Sequence, residues 1–190
     1  MSTREVLPTL VIVSGSPGTG KTTLAHQIAS ALGCPAICRD EIKQGMVYAT
    51  PGFTPGPGDP LSIRTLATFF DVLGLLLASG VTVVAEAAFQ DKLWRPGLEP
   101  LIGLAELRIV RCTVGADVAH DRIVRRIEEN THRVAHDDRG LLETLAGGTA
   151  ALDAFVPISL AAPTLRVDTT EGYDPAMPEI LNFVRAGAPS

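Results

Sequence analysis

The chain has 190 residues, of which 46% are hydrophobic and 19% are charged, and its formal net charge is −5. This length and composition predict one globular domain with a sizeable core, spanning residues 1–190. The acidic balance excludes a global basic field that would attract nucleic acid or an anionic membrane, so a polyanion would have to bind a local patch.

Neither the cysteines nor the N-terminus indicates export. Cys34, Cys38 and Cys112 are odd in number and lack a C-x-x-C or histidine-paired zinc spacing, which favours reduced thiols over disulfides or a metal site. Residues 1–8 lack the apolar core of a signal peptide and are predicted to be a flexible leader. The most apolar window, 61–78, contains two charged residues and is marginal for a membrane span. We therefore expect a cytoplasmic protein without a membrane partner, and the oligomeric state stays open.

A phosphate-binding loop follows the first apolar run, 9–13. The loop and the residue after it are Gly15, Ser16, Pro17, Gly18, Thr19, Gly20, Lys21, Thr22 and Thr23, which match G-x-x-x-x-G-K-[ST] without a mismatch. Glycines let consecutive backbone N–H groups point at phosphate oxygens, and the following helix adds the positive end of its dipole. Lys21 can reach the β and γ phosphates, and the Thr22 hydroxyl can ligate Mg²⁺. The pattern predicts a site for a nucleoside triphosphate, taken as ATP, with Mg²⁺.

The segment after this loop predicts a helix, a short strand and a second helix. Apolar spacing and the following Gly33 place the first helix over 21–32. The apolar run 35–38 reads as a buried strand that delivers Arg39, Asp40 and Glu41 at its carboxyl end, before a helix over 42–47. Residues 49–60 are rich in proline and glycine and predict a loop, either beside the substrate pocket or on the ordinary surface.

The rest of the chain alternates between helical and strand patterns. Helices are predicted at 61–79, 93–101, 116–129, 141–155 (broken at two glycines) and 178–185, and strands at 81–86, 107–114 and 165–168. Five strands alternating with helices predict an α/β fold with a parallel sheet covered on both faces. Ligands bind such sheets at the carboxyl ends of their strands, where Asp40 and Glu86 are expected.

Several charged residues are candidates for phosphoryl transfer. Asp40 could accept the proton of a substrate hydroxyl, or cap the helix that follows, and these roles are compatible. Arg122 and Arg126 are four residues apart on one helix face, where they could meet an anion or form a solvated, salt-bridged surface. Arg126 is the first candidate for the cation that stabilises the transferred phosphoryl group, and Arg133 is the second.

The segment 39–44 lies one strand after the phosphate loop. Its sequence, Arg-Asp-Glu-Ile-Lys-Gln, resembles the R-D-[DE]-x-[RK] segment of small P-loop kinases. That group includes the AAA_33, zeta-toxin and 5′-hydroxyl polynucleotide kinase families. The resemblance implies that Asp40 is the general base, that Lys43 and the adjoining Arg39 serve the acceptor, and that Glu86 serves the acceptor or the metal. It also implies the strand order 2-3-1-4-5 and an arginine-bearing lid at about 130–139.

Three functions remain in competition. A kinase for a small-molecule hydroxyl, on a nucleoside, sugar or antibiotic-like acceptor, explains the acids at two strand ends and the arginine-rich lid. A polynucleotide 5′-hydroxyl kinase is favoured by the resemblance but disfavoured by the net charge and by an aromatic content of only 5%, which leaves few stacking platforms. A regulatory module that binds or slowly hydrolyses ATP without an acceptor is the third.

Overall fold

The computed structural model describes residues 7–54, 56, 59–129 and 155–186, and for residues 127–129 it describes the backbone alone. In chain order its elements are β1 (Thr9–Ser14), α1 (Lys21–Leu32), β2 (Ala36–Cys38), α2 (Arg39–Tyr48), α3 (Pro60–Ala78), β3 (Val83–Glu86), α4 (Asp91–Leu98), β4 (Glu106–Thr113), α5 (Ala116–Glu129), β5 (Thr164–Asp168) and α6 (Met177–Arg185). A 3-10 turn, Glu99–Leu101, extends α4.

The five strands form one parallel sheet in the order β2-β3-β1-β4-β5, which confirms the predicted fold and strand order. β3 lies between β1 and β2, and its last residue, Glu86, is in register with Val13 of β1 and Cys38 of β2. The phosphate loop, Glu86 and the start of α2 therefore meet at one edge of the sheet.

Helices cover both faces because successive side chains of a buried strand point to opposite sides. On β1, Leu10 and Ile12 pack in a cluster with Phe69 and Leu73 of α3. The alternate residues of β1, Val11 and Val13, pack in a second cluster whose helical members are Leu24, Ala25, Ile28 and Ala29 of α1 and Ile180 and Val184 of α6. The sheet is thus anchored on both sides, and its carboxyl edge is a fixed platform.

The ends of α1 and α3 follow the expected signals. α1 spans the predicted residues and ends at Gly33, whose φ of 69° is left-handed. α3 begins after Asp59, whose carboxylate accepts a hydrogen bond from the Ser62 amide, and Pro60 occupies the first turn.

The expected start of α2 was wrong. Residues 39–41 form its first turn instead of trailing from the strand, so the helix begins three residues before the predicted Ile42. Asp40 and Glu41 there interact favourably with the positive end of the helix dipole, and the chain passes from strand to helix without a loop. α4 also begins earlier than predicted, at Asp91 instead of residue 93.

α3 is the one helix, among the residues that the structure describes, whose 19 residues and mean hydropathy of 1.7 would suffice to cross a membrane. Its side chains Phe69, Leu73 and Leu77 are buried in the cluster that packs against the sheet, and 28% of the apolar window is buried. The cytoplasmic location stays a prediction. The predicted lid at 130–139, with Arg133, and most of the helix at 141–155 lie outside the described residues, as do residues 55, 57 and 58 of the proline- and glycine-rich loop.

Candidate active site

The phosphate loop follows the carboxyl end of β1 and packs against α5. Gly18 has a φ of 80°, and a Cβ there would lie 2.6 Å from the carbonyl oxygen of Ala119. Gly20 has a φ of 72° at the residue before α1. Ser16 closes the turn, because its carbonyl accepts a 2.8 Å hydrogen bond from the Thr19 hydroxyl. Two of the glycines are therefore required by backbone conformation, and Gly18 also by close packing.

The N-terminus of α1 is open toward the loop. It has no side-chain cap and no acidic residue in its first turn, so its N–H groups and dipole can stabilise an anion. Lys21 begins the helix with a side chain only 14% exposed, and its Nζ lies 3.8 Å from Glu86 Oε1. Thr23, the last residue of the predicted set, is exposed on the same turn.

Glu86 links the loop to the rest of the sheet edge. Its Oε2 accepts a 3.1 Å hydrogen bond from the Thr22 hydroxyl, and the residue is only 1% exposed. Burial raises the pKa of this carboxyl above its usual range, Lys21 opposes that shift, and the charge of Asp40 reinforces it. The Thr22 hydroxyl and the Glu86 carboxylate are hard oxygen donors, which fits the predicted Mg²⁺ site.

Asp40 lies in the first turn of α2, near enough to Glu86 for its charge to raise the pKa of that carboxyl. Its Oδ1 accepts a 2.9 Å hydrogen bond from Arg39 Nη1, and its side chain is 41% exposed. The two acids thus differ in environment: Glu86 is buried beside the phosphate loop, whereas Asp40 is partly open to solvent. Partial exposure leaves the Asp40 carboxylate accessible, and the contact with the Arg39 guanidinium fixes its orientation.

Lys43 lies one turn further along α2 and is buried. Its Nζ donates a 2.9 Å hydrogen bond to Asp59 Oδ2, and both side chains are less than a tenth exposed. The pair joins α2 to the start of α3 across the proline- and glycine-rich loop. The contact of Lys43 with the acceptor stays a prediction, since the ion pair with Asp59 already engages the Lys43 ammonium group.

Arg122 on α5 ties the phosphate loop to the segment after β5. Its guanidinium donates to the carbonyl of Gly18 at 3.4 Å and to the Thr169 carbonyl at 2.6 Å. Arg126 is half-buried one turn further along the helix. The predicted roles of both arginines toward the transferred phosphate stay predictions.

Two residues near the site, Thr169 and Gln44, were not candidates in the sequence analysis. Thr169 is buried after β5, and its hydroxyl donates a 2.8 Å hydrogen bond to the carbonyl of Thr19, which braces the phosphate loop. Gln44 lies one turn after Asp40, and both polar atoms of its amide are buried without a hydrogen-bond partner among the residues that the structure describes. No local pattern marks Thr169. Gln44 ends the segment 39–44 that carries the family resemblance, and its spacing from Asp40 on a helix could have suggested a shared face.

Comparison with known proteins agrees with this arrangement. Residues 10–147 match the model of the AAA_33 family, which is described as an AAA domain. The chain belongs to this family. AAA_33 proteins fall within the P-loop kinase group that residues 15–23 and 39–44 resemble. A curated relative, Rv2004c of Mycobacterium tuberculosis strain H37Rv, is 30% identical in an alignment of length 179 that covers 89% of this chain. This chain spans about a third (32%) of the length of that relative.

Solved structures with the same architecture include kinases. A proposed kinase from Chloroflexus aurantiacus j-10-fl is 27% identical with a TM-score of 0.81, covering 96% of this chain and 100% of that one. The APS kinase CysC of Mycobacterium tuberculosis, solved with AMPPNP and APS, is 16% identical with a TM-score of 0.61 and covers 94% and 98%. The second likeness shows the fold alone.

Proposed function

We propose that this AAA_33 protein transfers the γ-phosphoryl group of ATP to a hydroxyl of a small molecule, with Mg²⁺. One observation carries the proposal. Lys21 and Thr22 each lie within 4 Å of the Glu86 carboxylate at the edge of the sheet, and the charge of Asp40 acts on the same carboxylate. A loop for the donor phosphates alone would suit a motor or a switch. A second, more exposed carboxylate beside it supplies what transfer to a hydroxyl needs.

The donor half consists of the phosphate loop and its supports. Backbone N–H groups at the start of α1 hold the phosphates, and Lys21 places its ammonium against the β and γ groups. Mg²⁺ held by the Thr22 hydroxyl, with Glu86 as the neighbouring oxygen donor, would supply charge neutralisation on the phosphates. Thr169 and Arg122 keep the loop in position through the carbonyls of Thr19 and Gly18.

The acceptor half is built on α2. Asp40 accepts the proton of the attacking hydroxyl, and Arg39 orients the carboxylate through their 2.9 Å hydrogen bond. Gln44, one turn on, has a buried amide whose donor and acceptor lack partners among the described residues, and we infer that a polar acceptor entering beside α2 would satisfy them. A small polar acceptor therefore agrees with the chemistry of this helix.

The charge distribution supports a small acceptor over a polynucleotide. The net charge is −5, and the basic side chains on α2 are already paired, Arg39 with Asp40 and Lys43 with Asp59. Among the described residues, α2 therefore offers no row of available cations to follow a phosphate backbone, which is the usual footprint of nucleic-acid binding.

The proposal is tested by incubating the protein with γ-labelled ATP, Mg²⁺ and a panel of nucleosides, sugars, aminoglycosides and 5′-hydroxyl oligonucleotides. We expect label on at least one small acceptor, and none with Lys21→Ala, which loses its contact with the phosphates. Label on oligonucleotides alone would instead identify a polynucleotide kinase. Tight ATP binding without label on any acceptor would favour a regulatory module.

A further inference from the structure

Three metal-ligating side chains from three different elements meet beside α2. His26 comes from α1, Cys38 ends β2, and Glu41 lies in the first turn of α2. His26 Nε2 lies 2.7 Å from Glu41 Oε1 and 3.6 Å from Cys38 Sγ. No two of the three ligand atoms are more than 4.8 Å apart. The fold thus assembles an imidazole, a thiol and a carboxylate at one point.

The spacing of these atoms suits a tetrahedral ion. With Zn–S and Zn–N bonds of ordinary length, tetrahedral angles place sulfur and nitrogen about 3.6 Å apart, and nitrogen and oxygen about 3.4 Å apart. The separation of Cys38 Sγ and His26 Nε2 has the first value already. The His26–Glu41 hydrogen bond would have to lengthen by about 0.7 Å, and both side chains can move because they are 48% and 55% exposed.

We propose that His26, Cys38 and Glu41 form a binding site for Zn²⁺. A thiolate together with an imidazole selects Zn²⁺ over Mg²⁺, which prefers oxygen donors alone. Three protein ligands leave a fourth position open to solvent or to an added ligand. Binding converts the Cys38 thiol to a thiolate, and its proton leaves to solvent.

This site adjoins the donor site, because the Cys38 thiol hydrogen-bonds the Glu86 carboxylate, but it does not depend on the proposed function. Its ligands are not among the residues that contact the phosphate loop, although Cys38 and Glu41 flank the Arg39–Asp40 segment in the chain. The sequence spacing gave no zinc pattern, because residue 26 is separated from residues 38 and 41 by the end of α1 and by β2. The ion reaches the buried sulfur past the exposed side chains of His26 and Glu41.

Cobalt(II) provides a direct probe, because a thiolate bound to Co²⁺ gives a sulfur-to-metal charge-transfer band that oxygen and nitrogen ligands do not give. The reduced, nucleotide-free full chain is titrated with Co²⁺ and followed by absorption, and Zn²⁺ is then added. We expect one equivalent of Co²⁺ with this band and its displacement by one equivalent of Zn²⁺. Cys38→Ala should abolish the band, whereas Cys34→Ala and Cys112→Ala should keep it.

His26→Ala tests the site without altering the buried core. We expect it to lower Co²⁺ affinity by about 100-fold or more, beyond the 10- to 100-fold that outer-shell changes cost. His120→Ala, an exposed histidine on α5, is the matched control and should leave the affinity unchanged. A charge-transfer band that survives in Cys38→Ala, its absence in the wild type, or unchanged affinity in His26→Ala would overturn the proposal. None of these outcomes depends on whether phosphoryl transfer is found.

Discussion

Glu86 is the residue on which the candidate active site converges. It is in register with β1 and β2, contacts two side chains of the phosphate loop, and is electrostatically coupled to Asp40. A carboxylate at 1% exposure is costly to keep ionised, and that cost is typical of groups retained for chemistry instead of stability. The proposed function and the stability of the fold therefore make opposite demands on the charge of Glu86.

The opposition predicts the behaviour of Glu86→Gln. Because the folded-state pKa of Glu86 is raised above its ordinary 4.5, the wild type loses stability as pH rises from below that value through the raised pKa. Glutamine at residue 86 cannot ionise, so the variant does not lose stability in this way. We therefore expect the stability of the variant relative to the wild type to improve between pH 4.5 and 7.5, measured by urea unfolding at each pH.

Transfer activity should be lost in the same variant, since an amide cannot provide the carboxylate that faces Thr22 and Lys21. Circular dichroism checks that both proteins are folded at the two pH values. A relative stability that does not change with pH would show that the Glu86 carboxyl does not titrate abnormally.

At the scale of elements, one buried ion pair holds α2 against α3. Burial by itself raises the pKa of Asp59, but hydrogen bonds from Lys43 and from the Ser62 amide and hydroxyl lower it to about 2. Because this folded-state pKa is depressed from 3.8, the stabilisation is complete above about pH 4 and is lost as pH falls toward 2. Asp59 also caps α3, so it serves both elements.

Lys43→Met should destabilise the protein by about 3 kcal/mol at pH 7, because it leaves the Asp59 carboxylate buried and unpaired. Asp59→Asn keeps a capping oxygen and removes the charge, so the double variant Lys43→Met/Asp59→Asn should regain most of the loss. Urea denaturation of the wild type, both single variants and the double variant gives the coupling energy. Additive single and double effects would mean that the two side chains do not interact in solution.

Contact between α3 and α4 depends on a glycine. A Cβ added at Gly97 would overlap the ring of Phe70, which packs edge-on against Phe69 and Trp94. A Cβ at Gly74, also helical, would meet only Leu101 Cδ2 at an ordinary 3.7 Å. The aromatic cluster therefore leaves room for only a hydrogen atom at residue 97.

We expect Gly97→Ala to destabilise the protein by about 1–3 kcal/mol through overpacking. Gly74→Ala, the matched control, should be neutral or stabilising by up to about 1 kcal/mol because alanine favours a helix. Thermal and urea unfolding of the two variants measure the difference. Equal effects at the two positions would show that Phe70 moves aside freely.

Elements with strong local signals were predictable from the sequence. A motif predicts the phosphate loop. The residue pattern predicts the helices α1 and α5, and for α1 the glycine that follows it also predicts its end. The first turn of α2 was missed because a short strand followed by charged residues gives no sign of where extended backbone ends. Two groups of contacts arise only from tertiary packing, although their residues are near one another in the chain. They are the Lys43–Asp59 pair, 16 positions apart, and the His26–Cys38–Glu41 cluster, which spans 15 positions.

At the scale of the molecule, strand order determines which residues can act together. The order β2-β3-β1 brings the end of β2, Glu86 and the phosphate loop to adjacent positions, although residues 15 and 86 are far apart in the chain. An edge of parallel strands is the general ligand site of such folds. Here its donor side is defined by contacts, and its acceptor side is proposed on α2.

The division between donor and acceptor sides leads to the most direct test. Initial rates of label transfer from γ-labelled ATP to the best acceptor of the panel are compared for the wild type and Asp40→Asn, with ATP affinity measured on the same samples. We predict a rate 10²- to 10⁴-fold lower, about the contribution of a positioned base, and an ATP dissociation constant nearly unchanged. Transfer by Asp40→Asn at close to the wild-type rate would contradict the account.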